Sequence, residues 1–526
     1  MCPLSTRGST ALLLGWTLVS SSLPAIGDEA SIERPIVKLH EGRLSGIVLD
    51  GVTAFRGIPY AAAPVGPLRW RPPQPPAPWP GIRKAYLVGA ICPQAYNGAD
   101  NGVGPLPMSE DCLTLNVYAP SLRPPAPLPV MFWIHGGGLV NGSATAALYD
   151  GTELARQGVV VVTINYRLGR LGFFAHPALS RERPPEPKAN FGLMDQIAAL
   201  QWVRRNIGAF GGDPGNVTIF GESAGGYAVN LLMISPAARG LFHRAICESG
   251  LGRGPRVYLN RRGPGGEPAE EAAGAAFTRA LGVASDDPAA LRALPLARIL
   301  AAGEPHSGEM VVIDGKLVPD AIDTVFARHG EAPVPYLLGY NAFEFPWATV
   351  AKSGPLAAEL ARSPAAEASV ERAYDSPEAF DTHFISDRVF VEPARLLARL
   401  HSQSGVPTYL YRFAVLADAA RSQYSEAPHA SERQYVFKTL AASTWATGAT
   451  DAAAAATISA YWVAFAKRGD PNGESRVPWQ PYSASDDRLL EFTNDGPVVK
   501  PVPNRAVLDA IEASYRAAPG RTSETP

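Results

Sequence analysis

The feature that most constrains this chain is Thr218-Ile219-Phe220-Gly221-Glu222-Ser223-Ala224-Gly225-Gly226. An apolar run of β-forming residues enters a G-x-S-x-G pentapeptide, and small residues lead out of it. The pattern spells a strand, a sharp turn and a helix, with serine at the tip. Gly221 and Gly225 suit it because side chains there collide where strand and helix cross closely. The turn lifts the Ser223 hydroxyl above the sheet edge. It also sets the Ala224 N–H beside that hydroxyl, at the positive end of a helix. A serine so held can attack a carbonyl carbon, and that N–H can stabilise the resulting oxyanion. The pentapeptide by itself also arises in ordinary loops, so the reading depends on partners elsewhere.

With 526 residues, 46% of them hydrophobic, the chain can bury a large core. A net charge of −2 with 18% charged residues leaves no electrostatic footprint for nucleic acid. Proline, at 50 residues, exceeds its usual share of about 5% and clusters at 72–80, 124–129 and 184–187. Those clusters read as rigid surface loops. Arg7, the apolar residues 11–19 and Ala25-Ile26-Gly27 before Asp28 read as an export signal over residues 1–27. The expected location is therefore periplasmic or secreted. The apolar stretch is too short to span a bilayer, and no other segment is long and apolar enough to do so. Residues 28–519 read as one domain, and the polar residues 520–526 as a disordered tail. Signal removal takes Cys2 with it. Cys92 and Cys112 can close a small Gly-rich loop as a disulfide, which export favours. Cys247 sits in an apolar strand-like run and reads as a buried free thiol.

Residues 130–135 and 159–166 are apolar runs, the first ending in glycines. Leu193, Ile197, Leu200 and Ile207 recur at helical spacing and predict a helix over 193–207. Residues 217–220 and 245–249 are further short strands. The alternation predicts an α/β fold, a mostly parallel central sheet with helices on both faces. Residues 268–303 are helical and alanine-rich, with Asp286-Asp287-Pro288 as a helix start. A strand follows at 334–339, with a loop at 341–345. A second helical stretch covers 355–401, then a strand at 408–415 and a polar loop through His429. The two helical stretches read either as cap insertions walling a pocket or as ordinary outer-layer helices.

Ser223 needs a base, and the base needs an orienting acid. When a nucleophile elbow opens an α/β layout, the chain order is nucleophile, acid, histidine. His243, His306, His329, His383, His401 and His429 all follow Ser223. His383 and His401 fall in or beside the second helical stretch. His429 follows a late strand, which favours it, although read alone it is a surface histidine. Glu344, between Phe343 and Phe345 in a loop past a strand, fits the acid; Asp314 and Asp323 fit less well. His135-Gly136-Gly137-Gly138 closes the first strand and can supply further backbone N–H groups to an oxyanion.

With these motifs in order, the chain resembles the type-B carboxylesterases, the cholinesterase-like branch of the α/β-hydrolases. The resemblance extends to Phe55-Arg56-Gly57-Ile58-Pro59-Tyr60-Ala61, Glu110-Asp111-Cys112-Leu113-Thr114-Leu115-Asn116-Val117 and Asn165-Tyr166-Arg167-Leu168-Gly169. It also includes Gly211-Gly212-Asp213-Pro214 and Phe465-Ala466-Lys467-Arg468-Gly469-Asp470-Pro471-Asn472. It implies a serine carboxylesterase with Ser223, Glu344 and His429 as triad, and Gly137, Gly138 and Ala224 as oxyanion hole. It also implies Glu222 and Ser249 near the histidine, and a Cys92–Cys112 bridge. Arg56 with Glu110 and Arg167 with Asp195 match the family's structural ion pairs. It implies no metal and no organic cofactor, and a small-molecule ester as substrate. A monomer is the default expectation.

Departures from the family pattern carry information too. The Cys92–Cys112 loop has no tryptophan of the kind that binds choline in cholinesterases, so choline esters are not expected as substrates. Leu139 stands where the family usually has phenylalanine, and Phe345 where many members have glycine. Both are expected near the pocket. Carbamate, amide or polyester hydrolysis uses the same apparatus, and a non-catalytic binding protein is the remaining alternative.

Overall fold

The computed structural model describes residues 34–95, 106–263, 266–283, 286–303, 310–350 and 364–517. The expected signal, Cys2, His306, the Gly-rich residues 96–105, the start of the second helical stretch and the tail lie outside them. In chain order the strands are Ile36–Lys38 (β1), Arg43–Ser45 (β2), Ile47–Leu49 (β3), Val52–Pro59 (β4), Ile82–Lys84 (β5) and Thr114–Ala119 (β6). Leu128–Ile134 (β7), Val160–Ile164 (β8), Gly212–Glu222 (β9), Arg244–Glu248 (β10), Val257–Tyr258 (β11) and Val312–Ile313 (β12) follow. Tyr336–Asn341 (β13), Thr408–Phe413 (β14), Arg488–Thr493 (β15) and Gly496–Pro501 (β16) complete them.

An 11-stranded sheet runs β16-β15-β14-β13-β10-β9-β7-β8-β6-β4-β3. The stretch from β8 to β15 is parallel, and the pairings toward β3 and β16 are antiparallel. The predicted mostly parallel sheet is therefore present. The period-2 geometry of β7 explains its two-sided burial. Val130, Phe132 and Ile134 enter one core, and Met131 and Trp133 the other. Helices Phe191–Asn206 and Ala224–Ile234 contribute Leu200, Val203, Leu231 and Leu232 to the first core. Helix Ala449–Arg468 contributes Tyr461, Trp462 and Phe465 to the second. That helix and β15 have no counterpart in the sequence reading, which took Phe465 onward only as a motif.

The two helical stretches behave differently. Helices Glu270–Ala280, Pro288–Arg292 and Leu296–Ala301 make up the first. Asp287 caps the second of these through Ala289 N (2.9 Å), as its sequence predicts. Arg292 anchors that helix outward, donating to Arg69 O (2.8 Å) and Glu182 (2.6 Å). These helices contribute Leu291 and Ile299 to the first core, and among the described residues they line no part of the large cavity described below. The second stretch does line it, through a π-helical segment, Asp387–Val391, and through Pro393.

The two ion pairs implied by resemblance also divide. Arg167 and Asp195 form a bidentate pair (2.8 and 2.7 Å), with side chains 4% and 0% exposed. The pair joins the loop after β8 to helix Phe191–Asn206. Arg56 does not pair with Glu110. It lies where the β4–β6 register shifts, over the Tyr118 ring, and binds Asp150 (2.9 Å). Glu110 is taken by Arg69, which arrives from the turn at Gly66–Leu68 (Nε–Oε2 2.7 Å).

Removing one partner of a buried pair strands the other charge in the core. Asp195→Ala should therefore lower unfolding stability by about 3–5 kcal/mol, read from the urea midpoint. Replacing both partners, Arg167→Met with Asp195→Leu, should cost clearly less. Equal losses would show that side-chain packing, not charge, holds this joint.

Candidate active site

β9 ends at Glu222 and helix Ala224–Ile234 begins at Ala224, so Ser223 makes the turn alone, at φ 56° and ψ −120°. A non-glycine residue held there costs on the order of 1–3 kcal/mol. Its bracing is local: Ser223 N–H donates to Glu248 O (2.9 Å), and Tyr227 N–H donates to Ser223 O (2.8 Å). The crossing is tight. A Cβ on Gly225 would lie 2.0 Å from Ile134 O, and one on Gly221 2.6 Å from the Gly225 backbone. Glycine is required at both positions, as the motif predicts.

Glu344 and His429 are positioned by two loops at the ends of β13 and β14. Phe343 N–H donates to Ala427 O (3.0 Å), and His429 N–H donates to Glu344 O (3.0 Å). Asn341 reinforces the junction, donating from Nδ2 to Pro428 O (2.8 Å) and Glu432 Oε2 (2.7 Å). Glu344 is 0% exposed, and its Oε1 accepts from Asn341 N–H (2.7 Å). The result is a continuous chain. Glu344 Oε2 lies 2.5 Å from His429 Nδ1, and His429 Nε2 lies 2.8 Å from Ser223 Oγ. In the tautomer this chain favours, Nδ1–H donates to Glu344 and Nε2 accepts from the serine hydroxyl. The other histidines are engaged elsewhere: His383 packs on Phe343, His401 bonds Glu331, and His243 accepts from Val217 N–H. Asp314 closes a turn by accepting from Lys316, Leu317 and Val318 N–H, and Asp323 pairs with Arg253.

The glycine loop follows β7 directly. Gly137 and Gly138 have φ of 102° and 62°, and a Cβ on Gly137 would meet Asn141 Oδ1 at 2.2 Å. Val140 and Asn141 N–H both donate to Gly137 O (3.0 Å). Gln94 clamps the far end of the loop, accepting from Gly142 N–H (2.8 Å) and donating to Gly142 O (2.9 Å). Gln94 is held two residues past Cys92, which is bonded to Cys112. Sequence reasoning missed Gln94, because nothing local marks a glutamine as a loop clamp. Gly137, Gly138, Ala224, Ser223 and His429 line one cavity of about 1190 Å³. As the first helical residue, Ala224 has no intrahelical acceptor for its N–H.

Glu222 lies 3.3 Å from His429 Nε2 and 3.8 Å from Arg433 Nε, as resemblance implied for a residue near the histidine. Ser249 behaves otherwise. Among the described residues its buried hydroxyl makes no hydrogen bond, to His429 or any other group. Behind the histidine stand two further buried acids that the sequence did not single out. Glu248 accepts from Trp462 Nε1 (2.7 Å), and Glu432 accepts from Asn341. Phe345 lies in the cavity wall, as expected, its ring 5.1 Å from the His429 ring. Leu139 adjoins the cavity-lining Gly138, but its side chain is buried in the core, and Gly169 N–H donates to its carbonyl (2.8 Å).

Burial raises the pKa of Glu222, that of Glu248 well above the ordinary range, and that of Glu432 to about 8, with neighbouring carboxylates adding to the effect on the last two. For His429, burial opposes the imidazolium. The carboxylates of Glu222, Glu344 and Glu432 outweigh it and raise the pKa to about 9. Burial thus raises the proton affinity of the acids behind the histidine, while their charge favours the imidazolium.

Comparison with known proteins identifies the family. The Carboxylesterase family model matches residues 33–378 and 366–508. The fumonisin B1 esterase of Sphingopyxis macrogoltabida is 36% identical, over 90% of this chain and 89% of that one. The para-nitrobenzyl esterase of Bacillus subtilis (strain 168) is 37% identical, over 85% and 92%. The solved structure of a thermophilic PNB esterase superposes with a TM-score of 0.81 at 32% identity, covering 91% of this chain and 100% of that one. The chain belongs to the carboxylesterase family, and its activity is serine-hydrolase-type hydrolysis of carboxylic esters.

A protonated imidazole cannot accept the serine proton. kcat/KM should therefore rise with pH as His429 loses its proton, with the limb displaced to the alkaline side of an ordinary imidazole near 6.5. Glu222→Gln removes a negative charge facing the ring, so its limb should move to lower pH. An unmoved limb in the pH–rate profile would show that Glu222 does not set the histidine's proton affinity.

Proposed function

We propose that Ser223 is the nucleophile, His429 the general base and Glu344 its orienting acid. The observation that carries this is the unbroken Glu344–His429–Ser223 chain, at 2.5 and 2.8 Å, opening on the cavity that Gly137, Gly138 and Ala224 also line. Ser223 Oγ attacks the ester carbonyl as His429 Nε2 takes its proton. The N–H groups of Gly137, Gly138 and Ala224 stabilise the oxyanion of the tetrahedral intermediate. Glu344 holds the imidazole and stabilises its positive charge. The imidazolium then protonates the departing alcohol, leaving an acyl-enzyme. Water, deprotonated by His429, attacks the acyl carbonyl and releases the acid and the free serine.

The cavity volume, about 1190 Å³, favours bulky esters over acetate-sized ones. Phe345, Trp347, Phe390, Tyr424 and Trp445 give it aromatic walls. Export with cleavage after residue 27 also belongs to this reading. The Cys92–Cys112 disulfide supports it, since such bonds persist in oxidising compartments. Among the described residues no helix is long and apolar enough to cross a membrane. N-terminal sequencing of the mature protein tests the cleavage.

Ser223→Ala should lower turnover of 4-nitrophenyl butyrate by more than about 10³-fold while the fold, followed by circular dichroism, persists. Retained turnover in a folded variant would refute the assignment. A fluorophosphonate should label the wild type once per chain and leave the variant unlabelled.

A further inference from the structure

The loop that carries the oxyanion donors has an unusual backbone. Gly137, Gly138, Leu139 and Gly142 all have positive φ, at 102°, 62°, 62° and 113°. Glycine reaches such conformations readily, and many others equally well, so contacts from outside must select one. The entrance of the loop is held at His135, whose carbonyl accepts from the Tyr166 hydroxyl (2.8 Å). The middle is held at Leu139, through Gly169 N–H. At the exit, both backbone polar groups of Gly142 go to one side chain, that of Gln94 (2.8 and 2.9 Å). A primary amide can do this because it presents an acceptor and a donor side by side. Its orientation is fixed by a second acceptor, since Nε2 also donates to Cys92 O (3.0 Å).

Gln94 itself stands on a firm base. It is buried and absent from the described lining of the cavity. Cys92, two residues earlier, is bonded to Cys112, which lies just before β6. Ile91 N–H donates to Pro107 O, and Ser109 N–H donates to Ile91 O (3.0 Å each). The exit of the loop matters for the chemistry because the loop folds back on itself. A Cβ on Gly142 would lie 2.3 Å from His135 Nδ1 and 2.6 Å from Gly136 O. Gly142 therefore sits against the two residues that lead into Gly137. Asn141 lies over Gly137, where a Cβ would meet the Asn141 carbonyl oxygen at 2.3 Å. A shift at Gly142 is passed to the oxyanion donors by direct contact.

We propose that Gln94 is a positioning residue of the oxyanion hole. By holding Gly142 its amide sets the N–H groups of Gly137 and Gly138 for the transition state, without touching the substrate. The proposal rests on the assignment of Ser223 as nucleophile and of the two glycines as oxyanion donors. A glutamine that merely satisfied buried backbone groups would contribute to stability and leave the rate of the folded enzyme unchanged.

The test compares the wild type with Gln94→Met, which keeps the side chain's length and removes its hydrogen bonds to Gly142. Turnover of 4-nitrophenyl butyrate is normalised to the sites a fluorophosphonate labels at completion, and circular dichroism checks the fold. In Gln94→Met kcat should fall about 10- to 100-fold while KM stays within about threefold. Affinity for a trifluoromethyl ketone, whose adduct with Ser223 carries an oxyanion, should fall by a similar factor. The pH limb of kcat/KM should stay at its wild-type position, because the groups around His429 are untouched. Gly142→Ala, which pushes the loop from the other side of the clamp, should show the same pattern, and adding Gln94→Met to it should cost little more. A folded Gln94→Met with kcat within about threefold of wild type overturns the proposal. So does a fall in kcat with unchanged ketone affinity, or with a displaced pH limb, since either puts the damage outside the oxyanion hole. Should Gln94→Met fail to fold, Gln94→Asn, whose amide is one methylene short of Gly142, is read by the same criteria. If the fluorophosphonate leaves the wild type unlabelled, or Ser223→Ala still turns over the ester, the failure lies instead with the assignment of Ser223.

Discussion

The approach of the Gly225 backbone to the Ile134 carbonyl is the constraint on which the rest of the site depends. Ile134 is the last residue of β7, and the glycine loop starts immediately after it. Helix Ala224–Ile234 can lie against that strand end only because Gly221 and Gly225 have no side chains. One close contact therefore sets two things together: the direction of the Ser223 hydroxyl and the distance from it to Gly137 and Gly138. The strain at Ser223 is offset by hydrogen bonds from both flanks, and the large two-faced core holds those flanks rigid.

The electrostatic design of the site is asymmetric. Behind His429, burial keeps several carboxyl groups at high proton affinity, and their residual negative charge favours the imidazolium formed during attack. In front, the cavity wall is aromatic. A reaction that generates positive charge on the base and negative charge on the substrate oxygen is matched by this arrangement. The acids stabilise the base, and the backbone N–H groups face the oxyanion.

Much of the site could be read along the chain. The elbow around Ser223, the glycine loop, and the chain order of Glu344 and His429 each carry a local signature, because each needs particular backbone geometry or a particular position after a strand. The clamp by Gln94 and the buried acids Glu248 and Glu432 carry none. They act through contacts with residues far away in sequence, and an isolated glutamine or glutamate looks the same whether buried or solvated. The Arg56–Glu110 pairing failed for a related reason. A register shift in β4 turned Arg56 toward Asp150, and Arg69 reached Glu110 instead. Leu139 does adjoin the cavity-lining Gly138, but the motif did not show that its side chain is buried in the core.

The sequence by itself determined the alternation of strands and helices, the nucleophile's turn and the chemical class of its partners. These follow from hydrophobic period, glycine placement and residue type, all of them local properties. The tertiary structure alone decided which helical stretch walls the cavity, which charges meet, and that Gln94 reaches Gly142. Those outcomes depend on strand register and helix phase summed over hundreds of residues, and no local pattern in the chain encodes them.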